Sequence, residues 1–154
     1  MRAFTLDGFG AQPALRGDLP EPQVGDNALL VRVRASSVNP VDVLIAAGAL
    51  KDMAEHEFPV TLGRDFAGVV ERVGSSVGRY RAGDEVLGFV LHANPMVRDG
   101  SWAELITVPE DNFVAAAPSG MNVAQTGAAP VAGLSALQAL PTTHTQGKLG
   151  LTIA

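Results

Sequence analysis

The chain has 154 residues, 47% hydrophobic and 18% charged, the balance of one globular domain rather than of a disordered segment. Lys and Arg total 11 against 16 Asp and Glu, and a net charge of −5 argues against nucleic-acid partners. Cysteine is absent, which excludes disulfides, thiolate nucleophiles and Cys-ligated zinc.

Residues 2–6 predict a short strand running into the turn Asp7-Gly8-Phe9-Gly10. Residues 11–27 are broken by Pro13, Gly17, Pro20, Pro22 and Gly25. Leu29, Val31, Val33 and Ala35 alternate with Leu30, Arg32 and Arg34, a half-buried strand with its arginines on the wet face. Ser37-Val38-Asn39-Pro40 reads as a helix start: Asn39 can cap, and Pro40 suits the first helical position. The helix Val41–Ala47 ends at Gly48, and 49–58 form a polar loop. Strands follow at Phe66–Val73, Glu85–Val90, Trp102–Val108 and Asn112–Ala116, with Gly74–Gly78 and Gly83-Asp84 as turns and 92–100 irregular. The Ala- and Leu-rich stretch Val123–Leu140 predicts two helical pieces, the second being Gly133–Leu140, stopped by Pro141. Lys148–Ile153 alternates again as a strand. Short strands separated by turn signals argue a β-sandwich or barrel, with a core of Val, Leu, Ile and Ala because aromatics are only 5%. No apolar run reaches the ~18 residues of a membrane span. The amino terminus lacks the apolar core of a signal peptide, so a cytoplasmic protein without a membrane partner is expected.

Five motifs stand in order: Ser37-Val38-Asn39-Pro40-Val41-Asp42, Gly63-Arg64-Asp65-Phe66-Ala67-Gly68-Val69-Val70, Val73-Gly74-Ser75-Ser76-Val77, Ala82-Gly83-Asp84-Glu85-Val86-Leu87-Gly88 and Gly100-Ser101-Trp102-Ala103-Glu104. Each is weak alone. Together they resemble the catalytic domain of the medium-chain dehydrogenase/reductase superfamily, within it the zinc-free quinone oxidoreductase branch. The resemblance covers roughly residues 1–140. It implies a mainly β fold, a GroES-like partly open barrel with a few short helices. In zinc-dependent members a Cys stands where this chain has Asn39, and a His-Glu pair where it has Arg64-Asp65. The third ligand position falls near Ala128-Ala129. His56, His92 and His144 lie in separate loops without paired spacing, so no metal is expected. In the family, 133–140 lead into a Rossmann domain. No G-x-G-x-x-G is present, and no βαβ unit fits between Pro141 and Ala154. Residues 144–153 resemble the last strand of the full-length enzymes. The expectation is one domain over 1–154, built from 1–140 and 144–154, with the nucleotide-binding domain absent between them.

The resemblance implies NADPH-dependent reduction of a quinone or enone, with negligible activity and no cofactor bound by this chain alone. Two roles are open to Asn39: polar contact with substrate in the cleft, or capping alone. For Asp42 they are proton handling and support of the helix dipole. Arg64 faces the cleft or a phosphate on one reading and makes a structural ion pair on the more conservative one. Ser135, with Gly133 beside it, stands where the family contacts the cofactor carboxamide. His92 reads as solvated, and Trp102 as a core anchor. Two alternatives use other partners: a non-enzymatic module, self-associating as a homodimer or binding a partner through the apolar face of 131–140, and a half-enzyme completed by a separate Rossmann chain.

Overall fold

Two antiparallel sheets carry the fold. The computed structural model describes residues 1–91 and 98–139. A three-stranded sheet has the order β2-β1-β4, from β1 (Ala3–Leu6), β2 (Ala14–Arg16) and β4 (Val60–Thr61). A five-stranded sheet has the order β7-β3-β5-β6-β8, from β3 (Ala28–Ala35), β5 (Asp65–Val73), β6 (Glu85–Phe89), β7 (Leu105–Pro109) and β8 (Val114–Ala116). Helices α1 (Pro40–Ala46), α2 (Val123–Ala128) and α3 (Pro130–Ala139) complete the described elements. Among the described residues the sheets do not close into a barrel, as the partly open architecture implied.

Each sheet has its own apolar cluster. Leu29, Val31, Phe66, Val70, Val86, Ile106 and Val108 fill the core of the larger one. Leu6, Ile45, Val60 and Leu62 fill the smaller, with Leu50, Phe58 and Trp102 packed on it. Removing such a side chain from water contributes ~1.5–3 kcal/mol. Asp65 and Phe66 open β5 between these clusters, so one strand anchors both a core and a polar site.

The alternation along β3 is only partly obeyed. Leu30 lies on the arginine face by period yet is buried, because the register against β5 shifts between Leu30 and Val31 and again between Val33 and Ala35. Arg32 is half-buried and paired with Glu71, while Arg34 is exposed as expected. Gly68 sits in the shifted stretch, where an added Cβ would lie 2.2 Å from the Arg32 carbonyl oxygen. The strands β3 and β5 can approach this closely only because position 68 lacks a side chain.

Three boundaries differ from the sequence reading. The expected strand Trp102–Val108 is divided. Phe4 N–H donates to Trp102 O and Trp102 N–H to Leu62 O, both at 2.8 Å, and Ala3 bridges Ala103. Residues 102–103 thus hydrogen-bond at the smaller sheet before β7 joins β3 at Leu105. The last helix starts at Pro130 rather than Gly133. Proline needs no acceptor for a missing N–H, and the next amide, Val131 N–H, donates to Asp65 Oδ1 at 3.0 Å. The turn-rich stretch 11–27 holds the strand β2, and β4 lies beyond the polar loop. The expected strand 148–153, His92 and His144 lie outside the described residues.

Candidate functional site

The polar residues singled out in the sequence meet where α1 begins and β5 begins. Asn39 occupies the N-cap of α1 in an extended conformation, with Pro40 at the first helical position. Its side chain makes no cap hydrogen bond; instead the Asp42 carboxylate reaches back, its Oδ2 accepting from Asn39 N–H at 2.7 Å. The Asn39 amide Nδ2 donates to Asp65 Oδ2 at 3.0 Å and to Ser37 Oγ at 3.2 Å. Those two acceptors lie 2.6 Å apart, in nearly one direction from Nδ2, and so share one hydrogen of that amide.

Asp65 is the hub. It is fully buried and accepts from Ser37 Oγ at 2.6 Å, from Asn39 Nδ2, and from the first turn of α3 through Val131 N–H. Ser36 Oγ adds a bond to Asp65 O at 2.6 Å and lies 3.1 Å from Ser101 Oγ. Trp102 Nε1 donates to Ser37 O at 3.1 Å, so the half-buried Trp102 anchors the same loop. Its indole packs against Gly63, at φ +88°, where an added Cβ would fall 2.2 Å from Trp102 Cδ1. That left-handed conformation lets the chain turn under the indole and enter β5 at Asp65.

Arg64 and Asp42 behave differently from their neighbours. Arg64 is 3% exposed and Asp42 1%. Neither the Arg64 Nη1 nor Nη2 atom has an acceptor among the described residues, and Asp42 Oδ1 has no donor. The expected structural ion pair of Arg64 does not form: it has no carboxylate in ion-pair contact among the described residues, although Asp42 and Asp99 bear on it electrostatically. Burial pushes the Asp42 carboxyl above the usual aspartate range, and the Asp65 charge pushes the same way; Asn39 N–H, the Arg64 charge and Gly63 N–H act against this. Burial pulls the Arg64 guanidinium below its ordinary value, opposed by Asp42 and then Asp99.

The remaining candidates are placed apart from this cluster. Gly133 and Ser135 are exposed on α3, and Ser135 makes no side-chain hydrogen bond among the described residues. Gly133 instead joins Phe89, Phe113, Pro130 and Leu134 around an apolar cavity of about 330 Å³. Leu134 and Leu137 are exposed on the same helix, as the apolar face of 131–140 implied, with Leu140 outside the described residues. Among the described residues no group of three or more His, Cys, Asp or Glu side chains is arranged to hold a metal. No helix among them is long and apolar enough to cross a membrane.

The sequence reading gave Asp65 and Ser37 no role beyond their place in the motifs. A signal for Ser37 was available. Ser37 and Asn39 stand two apart in an extended segment, and such residues share a face. Nothing local marks Asp65 as their common acceptor, because its partners come from 26 to 66 residues away.

This lacing of the 36–39 loop, the start of β5 and Trp102 is carried by a chain that matches the alcohol dehydrogenase GroES-like domain family over residues 25–119. The match spans more than half of the chain, which belongs to that family. Its relatives are quinone oxidoreductase-like members of the medium-chain dehydrogenase/reductase superfamily. A chloroplastic quinone-oxidoreductase homologue from Spinacia oleracea is 34% identical over 144 residues, covering 91% of this chain and 42% of the relative. The quinone oxidoreductase structure from Coxiella burnetii is similar with a TM-score of 0.76 and 30% identity, over 92% of this chain and 44% of that one. The Escherichia coli quinone oxidoreductase, solved with NADPH, shares the fold with a TM-score of 0.78 at 22% identity, over 93% of this chain and 41% of that one. The chain thus spans well under half the length of these relatives.

Proposed function

We propose that this chain is the substrate domain of an NADPH-dependent quinone or enone reductase, in which the nucleotide-binding domain is absent between Leu140 and His144. The observation that supports the reading is the buried cluster of Asn39, Asp42, Arg64 and Asp65, built into an oxidoreductase-type domain and left with polar atoms at Arg64 and Asp42 that have no partner among the described residues. Asn39, clamped by Asp65 and Ser37, shapes the polar wall; Asp42 is the proton-handling candidate; Arg64 supplies positive charge. Gly133 and Ser135 would face the nicotinamide, and the space around Gly133 is open enough for a flat group to approach: an added Cβ there meets nothing within 4 Å. The cofactor, when bound, supplies hydride. On this reading most of its affinity belongs to a nucleotide-binding domain.

Calorimetric titration with NADPH is the direct test. No saturable binding is expected at sub-millimolar cofactor, and micromolar affinity would overturn the reading. A second reading is favoured by the exposed Leu134 and Leu137 beside the apolar cavity: a non-enzymatic module that buries this face by self-association. Sedimentation separates the two, since a clean monomer at high concentration removes self-association.

A further inference from the structure

Arg64 is distinguished in the cluster by two donor nitrogens that have no acceptor among the described residues. The Asn39 amide is turned onto Ser37 and Asp65, and the Asp65 carboxylate accepts from Ser37, Asn39 and Val131. Among the described residues the buried Arg64 Nη1 and Nη2 atoms have no acceptor, and the buried Asp42 Oδ1 has no donor. A guanidinium keeps its proton in proteins, so burial leaves a permanent cation with its planar fork unfilled.

We propose that Arg64 is the oxygen-anchoring residue of this site, receiving the two oxygens of a small carboxylate through Nη1 and Nη2. The fork geometry matches a planar, singly charged oxygen pair. Asp42 and Asp99 both press negative charge on the same spot, which selects a monoanion against a doubly charged phosphate. Asp42 then acts as a brake: its carboxylate lowers the affinity of any anion that Arg64 holds. The inference rests on the reading above only in taking this cluster as the substrate-facing one, and it concerns binding without any nicotinamide.

The test is titration of the whole chain with formate and acetate at constant ionic strength. Binding is followed by the fluorescence of Trp102, the single tryptophan, which is bonded to Ser37 in the cluster, and by the side-chain resonances of 15N-labelled arginine. Saturable binding that shifts the Arg64 signals is expected. R64Q should abolish it, and R64K should weaken it by about tenfold, because a point charge does not reproduce the fork. D42N keeps the cation, removes the opposing charge and should tighten formate binding severalfold. That variant carries the test if R64Q does not fold. Absence of saturation, unchanged affinity in R64Q, weaker binding in D42N, or phosphate binding more tightly than formate would each overturn the proposal. So would a long-lived internal water at Arg64 that formate does not displace. A chain that binds formate through Arg64 while its reconstituted enzyme reduces no quinone or enone keeps this inference and loses the functional reading; the reverse result does the opposite.

Discussion

At the scale of single residues, the site is a contrast between a satisfied acid and an unsatisfied one. Asp65 has donors on both carboxylate oxygens, Ser37 and Asn39 on Oδ2 and Val131 on Oδ1. D65A would strand the Ser37, Asn39 and Val131 donors and should cost about 3 kcal/mol or more, read by urea unfolding. Asp42 makes a different forecast. Its folded-state pKa lies above the ordinary 3.8, so between those two values the folded protein holds the extra proton. Stability contributed by this group is present below that window and is lost as pH rises through it. Asp18 and Glu104 are held low by Arg16 and Arg2 and act with the opposite sign. The difference between wild type and D42N isolates the Asp42 contribution: urea titrations over a pH series should show the wild type losing ground to D42N as pH rises from 3.8. A difference that is flat or grows with pH would contradict the assignment.

At the scale of elements, close approach does what side-chain chemistry alone does not. β5 passes β3 at Gly68 and leaves the Trp102 indole at Gly63. G63A combines a left-handed backbone with a collision against the Trp102 ring and should destabilise by about 2–4 kcal/mol, with a shifted Trp102 emission maximum. G68A places a methyl against the Arg32 carbonyl, where backbone rather than a flexible side chain must yield, so a loss of about 3 kcal/mol or more is expected by thermal unfolding. The helices were legible in part. Asn39-Pro40 and Gly48 bound α1 as read, and Asn122 and Gln125 cap α2 reciprocally at 3.0 Å. The start of α3 was not legible from its own residues, because the acceptor for Val131 N–H is Asp65, 66 residues earlier.

At the scale of the whole molecule, the exposed apolar residues of α3 are the surface on which self-association is tested. Leu137 is 64% exposed, and Leu134 and Phe113 border the cavity beneath it. If self-association buries this face, L134E/L137E should move a concentration-dependent sedimentation coefficient to that of a monomer, and an unchanged profile would place the contact elsewhere. The five ordered motifs were enough to assign the family and its mainly β architecture, because turns, strand alternation and helix caps are local and written in neighbouring residues. They also brought Asn39, Asp42, Arg64 and Asp65 to notice together. What each of these does was decided by tertiary structure. Adjacent positions 64 and 65 both became buried, the Asp65 carboxylate with donors from two distant segments and the Arg64 Nη1 and Nη2 atoms with no acceptor among the described residues. The expected ion pair of Arg64 is missing among the described residues for that reason: a pairing is a distance between remote parts of the chain, and the packing of β5 against the 36–39 loop and α3 sets it.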